Sequence, residues 1–192
     1  DMKINANKSH CIRRPIGPRY NFNCADIVTS DGDTIQWTDE IRYLGIFITS
    51  DIVFSCSHSN AKKSFYRTFN GIFGKVGRIA SEDVIIQLVK TKCMPAMLYG
   101  LDVCTVNKSQ INSLQYAVTG MLMKVFQTKS RNIIQECAMY FNFLSVDQPI
   151  LKRQYNFLFN FVNHPTTFLS RLFSQEARLQ MDAVSAKLCK YY

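Results

Sequence analysis

The sequence predicts an α+β fold, in which a small antiparallel β part is followed by a mostly α-helical bundle. Over residues 1–55, β-branched and aromatic residues alternate with turn residues, which is typical of short strands. From residue 57 onward the apolar period changes from two to about 3.6, which indicates helices. We therefore expect two regions, residues 1–55 and residues 56–192, with a change of architecture near residues 50–57 and no flexible linker.

The composition is typical of a folded domain. The 192 residues are 47% hydrophobic and 19% charged, and no apolar run approaches the roughly 18 residues that cross a bilayer. The N-terminus shows no secretory signal pattern, and the first residue, Asp1, suggests a piece of a longer chain. The seven cysteines form no Cys-x-x-Cys pair, so we expect reduced thiols and no zinc site. These observations predict a cytoplasmic or nuclear protein that is not secreted and has no membrane partner.

The first region divides into three predicted strands. Residues 24–29 and residues 34–37 flank Asp31-Gly32, a pair that favours a tight hairpin turn. Residues 41–48 are apolar on both faces with one exception, which predicts a buried strand. Asp31 and Asp33 could together hold a divalent metal, but the turn already explains both residues and no further oxygen ligand lies nearby. We therefore expect no metal site.

The second region begins with a predicted helix over residues 59–79. Its apolar stripe consists of Phe65, Phe69, Ile72, Phe73, Val76 and Ile79. Asn107 and Gln110 form a capping-box pattern ahead of a second long helix, and Pro95 should end or kink the helix that precedes it. Further helices are expected over residues 130–140, 149–162 and 167–190.

The helix predicted over residues 59–79 has a basic opposite face. That face presents Asn60, Lys63, Arg67, Asn70, Gly71, Gly74 and Arg78. Residues 56–79 carry five basic and no acidic residues within a chain of net charge +9, and such a local excess favours a polyanionic partner. Glycines inside a helix cost about 0.5–1 kcal/mol each, so they need a reason. Tight packing under a solvated face is one reading, and a surface that follows nucleic-acid phosphates is the other.

A run of alternating aromatic residues lies near the C-terminal end of the chain. Tyr155, Phe157, Phe159 and Phe161 could stack on bases. On a helix, however, they spread around most of the circumference, so we expect them to contribute to the core.

Three segments, taken in order, carry a resemblance to a known family. They are Asn5-Ala6-Asn7-Lys8-Ser9, residues 41–48 with Tyr43-Leu44-Gly45, and residues 92–100, which end in Tyr-Gly. Their order and spacing resemble the end of the palm and the start of the thumb in reverse transcriptases of non-LTR retrotransposons, the LINE-type or jockey-like elements. The resemblance covers roughly residues 2–105, and it implies a palm remnant followed by a thumb-like bundle.

The resemblance implies roles for particular residues. Lys8 would lie near the departing pyrophosphate, and Tyr43, Leu44 and Gly45 would form the grip on the primer end. The helix over residues 59–79 would be the first thumb helix, lying against the template-primer duplex. Its contacts would come from Lys63, Arg67, Asn70, Gly71, Gly74 and Arg78.

The resemblance also implies what this chain lacks. The family holds two Mg²⁺ ions on carboxylate motifs, and we expect those motifs upstream of residue 1. The chain alone would then have no catalytic residue, no metal and no cofactor, and it would be inactive as an RNA-directed DNA polymerase. Its expected partners are an RNA/DNA template-primer duplex and the missing N-terminal polymerase portion.

A second hypothesis comes from a different class of protein. The sequence contains no Gly-x-Ser-x-Gly, Walker or dinucleotide-binding motif, so nothing in it indicates an independent enzyme. The chain could instead be a non-catalytic helical interaction protein whose basic face binds an acidic partner.

Overall fold

The fold is known from a computed structural model, which describes residues 3–13, 24–52, 55–77, 79–104, 106–143, 145–164 and 167–191. The chain divides into two compact units, residues 1–60 and residues 61–192. Strands with one short 3₁₀ turn make up the described regular structure of the first unit, and helices make up that of the second. The predicted α+β fold class is therefore confirmed.

The first unit contains two three-stranded sheets. The strands are β1 (His10–Ile12), β2 (Ile27–Val28), β3 (Thr34–Thr38), β4 (Glu40–Tyr43), β5 (Ile46–Thr49) and β6 (Ser55–Cys56). The sheet orders are β1-β3-β2 and β4-β5-β6. All pairs are antiparallel except β1 with β3, which is parallel. The β part is therefore mainly antiparallel, as predicted. The parallel pair forms because the long connection between β1 and β3 lets the chain return in the same direction.

The Asp-Gly hairpin is present as predicted. Strands β2 and β3 pair with Ile27 opposite Ile35 and Val28 opposite Thr34. Gly32 has a φ of 87°, a left-handed conformation that glycine adopts without strain. The Asp31 carboxylate forms an ion pair with the Lys3 ammonium at 3.2 Å. The contact joins the hairpin turn to the N-terminal segment of the same unit.

The buried strand predicted over residues 41–48 is wrong. The segment is a second hairpin, β4–β5, in which Tyr43 pairs with Ile46 across a two-residue turn. Leu44 and Gly45 have φ values of 47° and 83°, and two positive φ values are what a type I′ hairpin turn requires. The apolar pattern runs through this turn without interruption, which is why it resembled one continuous strand.

The second unit is helical. Its helices are α1 (Ser59–Val76), α2 (Glu82–Leu88), α3 (Met94–Leu98), α4 (Lys108–Val125), α5 (Arg131–Tyr140), α6 (Asp147–Asn163), α7 (Phe168–Leu172) and α8 (Ser174–Leu188). A π-helical segment, Val89–Cys93, joins α2 to α3. Pro95 lies two residues beyond its end and cannot donate a backbone hydrogen bond, so the predicted interruption takes the form of this wider turn. No helix among the described residues is long and apolar enough to span a membrane.

The core of the second unit forms where α1 and α4 meet the segment from α2 to α3. Phe65 and Phe69 of α1 are 0% and 2% exposed, and they belong to one cluster with Met97, Leu114 and Met121. The first four members of the predicted stripe lie in or against this cluster, and the fifth, Val76, is half-buried at the end of α1. Ile79 is an error, because α1 ends at Val76 and Ile79 is 88% exposed.

Helix α4 begins where the capping box was predicted. The Asn107 side chain accepts a hydrogen bond from the Gln110 backbone N–H, and the Gln110 side chain accepts one from the Asn107 backbone N–H, each at 2.8 Å. Two backbone donors that would otherwise lack partners are thereby satisfied.

The cysteines depart in part from the expectation that all are reduced. Cys11, Cys24, Cys93, Cys137 and Cys189 are free thiols, whereas Cys56 and Cys104 are disulfide-bonded. Cys93 lies in the core with no exposed surface, and burial raises the pKa of its thiol to about 11.

We predict that Cys93 resists alkylation in the native protein while the exposed Cys24 and Cys189 react. A pKa of about 11 leaves roughly one thiol in a thousand ionised at pH 8. Iodoacetamide labelling followed by peptide mass mapping should therefore show Cys93 at least about 100-fold slower. The unfolded chain ionises this thiol at lower pH, so its contribution to stability is complete below about pH 9 and is lost as the pH rises toward 11. Equal labelling of all three cysteines under native conditions would contradict this.

Candidate nucleic-acid interface

Helix α1 exposes the face that the sequence singled out. The exposed residues of that face are Lys63, Arg67, Asn70, Gly71 and Gly74. They lie opposite the buried stripe, because one helical turn takes about 3.6 residues and the two sets are about half a turn apart. Arg78, the sixth predicted contact in this helix, lies outside the described residues.

Side-chain contacts hold α1 beside α4. The Lys62 ammonium donates to the Ser113 hydroxyl at 2.9 Å, and the Lys124 ammonium donates to Oδ1 of Asn70 at 3.4 Å. Both contacts advance in the same direction along the two helices, so α1 and α4 run side by side and parallel. The exposed surface of α1 is therefore extended by α4.

Lys124 is held over aromatic rings. Its ammonium lies 5.6 Å from the centroid of the Phe69 ring and 4.9 Å from that of Phe73. A cation over an aromatic face gains about 0.5–1 kcal/mol at an exposed site. Among the described residues no acidic group contacts this lysine, so its charge is not neutralised by the contacts that hold it. We refer to Lys63, Arg67, Asn70, Gly71, Gly74 and Lys124 as the α1–α4 face.

The electrostatics of the α1–α4 face are uniform in sign. Neither α1 nor α4 contains an Asp or Glu, while α1 carries four basic residues and α4 carries two. Among the residues that the structure describes, neither Lys63 nor Arg67 makes a hydrogen bond or an ion pair through its charged group. From Lys63 to Gly74 the helix rises about 16 Å, and over that length a duplex presents about nine phosphate charges. Such a surface can attract a polyanion along its whole length.

The two glycines of α1 differ in their surroundings from Gly77, which follows the end of the helix. A Cβ atom added at Gly71 or at Gly74 would meet no described atom within 4 Å beyond the helix's own backbone. At Gly77 it would lie 2.5 Å from the Phe73 carbonyl oxygen. The local backbone geometry just after α1 therefore explains Gly77. Tight packing against another described part of the protein is the wrong explanation for Gly71 and Gly74. The two exposed glycines leave room for an external molecule to approach the helix backbone.

The other predicted site residues belong to the first unit. Lys8 is exposed at the end of a 3₁₀ turn, Ala6–Lys8. Tyr43 and Leu44 are 62% and 72% exposed and, with Gly45, form the tip of the β4–β5 hairpin. Leu44 adopts a left-handed backbone conformation that is unfavourable for a leucine, and strain of this kind is often found at functional positions.

The aromatic run of α6 lies outside the buried core, so the expectation that it contributes to the core is wrong. Phe157 and Phe159 are 43% and 45% exposed, and Tyr155 and Phe161 are half-buried. Each is paired along the helix, Phe157 with Phe161 at 6.1 Å and Tyr155 with Phe159 at 6.2 Å between ring centroids. In each pair, one ring shields part of the other from water. This contact reduces the apolar surface that Phe157 and Phe159 expose.

Sequence reasoning missed Lys124. It lies 54 residues from its contact Asn70, and no local pattern reveals a contact at that separation. A usable signal was present, because residues 103–135 contain four basic residues and no acidic ones. This is a second basic segment without acidic residues, after residues 56–79, and it predicts that the two segments contribute to one basic surface.

No metal centre accompanies these residues in the part of the chain that the structure describes, where no group of three or more His, Cys, Asp or Glu side chains could hold an ion. No family model, no curated protein and no solved structure matches the chain. The geometry and the sequence motifs are therefore the basis on which a function can be inferred.

We predict opposite effects of alanine at two glycines of the same segment. Gly74→Ala should raise the free energy of unfolding by about 0.5–1 kcal/mol, because alanine favours a helix and its methyl group meets open space. Gly77→Ala should lower it by more than about 1 kcal/mol, because its Cβ would clash with the Phe73 carbonyl oxygen. Urea denaturation followed by circular dichroism measures both changes. A destabilised Gly74→Ala variant would show that Gly74 packs against the protein after all.

Proposed function

We propose that this chain is part of the reverse transcriptase of a non-LTR, LINE-type retrotransposon and that its α1–α4 face holds a template-primer duplex. One observation carries the proposal: an exposed, acid-free basic surface in which Gly71 and Gly74 leave space for a sugar-phosphate backbone. Lysine and arginine on such a surface neutralise phosphates without reading bases. The order of the three family-like segments supports the same assignment.

The hairpin tip is assigned to the primer end within this proposal. Tyr43, Leu44 and Gly45 are exposed. Leu44 has a left-handed backbone conformation in which asparagine would be less strained. An apolar contact of the leucine side chain with a molecule outside the chain would explain why leucine occupies this position. Lys8, also exposed, would act on the pyrophosphate side.

The proposal gives the chain a binding role that depends on a catalytic portion. The family's carboxylate motifs are not found within the 192 residues, so Mg²⁺ would be held by the N-terminal polymerase portion. The site of action would be the cytoplasm or the nucleus. The disulfide-bonded state of Cys56 and Cys104 argues against that compartment, because disulfides are rare there.

We predict that residues 1–192 alone do not extend a primer. The carboxylates that bind two metal ions in polymerases are missing from the chain, and Asp31 is engaged by Lys3. Primer extension on an RNA template with Mg²⁺ or Mn²⁺ is the assay. Template-dependent product that is lost in an Asp31→Asn, Asp33→Asn variant would overturn this expectation.

Duplex binding by the α1–α4 face should depend steeply on salt. Three to five neutralised phosphates correspond to a slope of roughly −3 to −4.5 in a plot of log affinity against log salt. Replacing Lys63 and Arg67 with glutamine should reduce the slope by about two and weaken all sequences alike. The measurement is the fluorescence anisotropy of a labelled RNA/DNA duplex, made at about 50 to about 250 mM NaCl.

A matched control removes the same charge elsewhere. Lys187 and Lys190 are exposed and lie outside the α1–α4 face, so Lys187→Gln, Lys190→Gln should leave the slope nearly unchanged. Equal losses in the two double variants would mean that only net charge matters, and the proposal would fail. Gly74→Leu should weaken binding while the thermal midpoint is retained, because the side chain fills the space that the backbone of the duplex would occupy.

The alternative function is distinguished in the same experiment. If the face binds an acidic protein, polyglutamate of matched charge should compete with the duplex as strongly as unlabelled duplex does. A surface that binds phosphates should instead prefer the duplex, because the phosphates of a duplex are regularly spaced and can lie along the basic residues of α1. Strong competition by polyglutamate would favour the interaction-protein hypothesis.

A further inference from the structure

A cavity of about 310 Å³ lies in the second unit, apart from the residues of the α1–α4 face. Its walls come from one side of the segment running from the π-helical turn into α3, from the loop between α5 and α6, and from the first turns of α6. The volume lies at the lower end of the range for small-molecule sites.

Two cations stand at this cavity. The Lys90 ammonium donates to the Phe141 carbonyl oxygen at 2.6 Å and lies 6.0 Å from the centroid of the Phe143 ring. The Arg153 guanidinium donates to the Leu98 carbonyl oxygen at 3.4 Å. Each contact uses one donor and leaves the others available, since an ammonium has three N–H groups and a guanidinium has five.

The charges at the cavity are not neutralised by the protein. None of the described residues that line it is acidic, and neither Lys90 nor Arg153 forms an ion pair with another described residue. The backbone carbonyls fix the positions of the two cations without removing their net charge. A ligand that enters the cavity therefore meets two oriented cationic groups.

The rest of the cavity wall is mainly apolar. It is formed by Met94, Pro95, Leu98, Phe143 and Pro149, with Asn142 as the one uncharged polar lining residue that the structure describes. An apolar wall of this kind favours a ligand with a hydrocarbon or aromatic body. Inorganic phosphate would gain nothing from that wall and would lose its hydration.

The π-helical segment is part of this arrangement. Lys90 lies within Val89–Cys93, and Met94, Pro95 and Leu98 follow on the same wall. π-helical turns within α-helices are frequently found at functional sites. Met94 separates the turn from Pro95, so a residue that cannot donate a helix hydrogen bond also lies at the cavity.

We propose that this cavity is a binding site for a small apolar carboxylate. The carboxylate would accept hydrogen bonds from Arg153, whose planar fork matches two oxygens, and from Lys90. The apolar body would lie against Met94 and Phe143. The ligand would be either a free acid or the C-terminal carboxylate of a peptide with an apolar last residue. Both present the same two features, a carboxylate and an adjoining apolar group.

The test uses 3-phenylpropionate and its neutral amide as probes on the whole 192-residue chain. Titration followed by ¹H–¹⁵N NMR should show saturable shifts at the amides of Lys90, Asn142, Phe143 and Arg153. The amide probe should bind about tenfold more weakly or worse, because it lacks the charge that both cations recognise. An acetylated dipeptide ending in phenylalanine, tested alongside, distinguishes a peptide terminus from a free acid as the preferred source.

Two variants assign the binding to the cavity. Arg153→Gln should weaken the carboxylate about tenfold. Because Arg153 also contacts the Leu98 carbonyl, Asn142→Asp serves as a second variant: Asn142 is exposed with a φ of 47°, and aspartate tolerates that conformation. It should weaken the carboxylate about three- to tenfold by repulsion and leave the amide probe unchanged. Asn160→Asp, on the exposed surface of α6, is the matched control.

Several outcomes would overturn the proposal. They are equal affinity for the carboxylate and its amide, saturable shifts confined to other residues, or equal weakening by Asn142→Asp and Asn160→Asp. The absence of saturable shifts up to about 10 mM, far above the range useful for a specific site, would do the same. Lys63→Gln, Arg67→Gln should not alter carboxylate binding, so failure at this site and failure of duplex binding are separate results.

Discussion

The burial of Phe65 and Phe69 is the interaction on which the arrangement of the second unit depends. Each side chain is almost completely removed from water, a change that stabilises a protein by about 1.5–3 kcal/mol for each residue. Because both lie on one stripe of α1, their burial fixes the rotation of this helix about its own axis. The opposite side of α1 is then exposed, and it carries Lys63, Arg67, Asn70, Gly71 and Gly74.

The same aromatic stripe also positions a charge. Phe69 lies in the core, but together with Phe73 it presents its ring to the ammonium of Lys124. An acidic residue could have held Lys124 equally well, but it would have cancelled the charge. An aromatic ring attracts a cation through its quadrupole and leaves the net charge intact. The core thus determines both which face of α1 is exposed and how α4 adds a cation to that face.

Local signals predicted much of this structure, and contacts between distant residues were not predictable. The Asp31-Gly32 turn, the capping box of α4 and the stripe of α1 depend on residues within a few positions of one another, and they are present. The strand predicted over residues 41–48 is wrong because Gly45 is the only residue of the two-residue turn that signals it. Leu44 adopts a conformation that usually indicates glycine or asparagine. The contact of Lys124 with Asn70, like the cavity at Lys90 and Arg153, depends on tertiary packing between separate segments.

The two cationic regions of the second unit differ in shape, and shape determines what each can recognise. The α1–α4 face is exposed along its length, so its charges act on a partner through water and are screened within about 8 Å at physiological salt. Only a partner with many regularly spaced charges gains enough from such a surface. At Lys90 and Arg153 the cations are partly withdrawn from solvent beside an apolar wall, where screening is weaker and one carboxylate can engage both. The net charge of +9 therefore does not correspond to a single surface for a polyanion. Some of the basic residues lie on the open α1–α4 face and others lie at the cavity, and the two sites select different ligands.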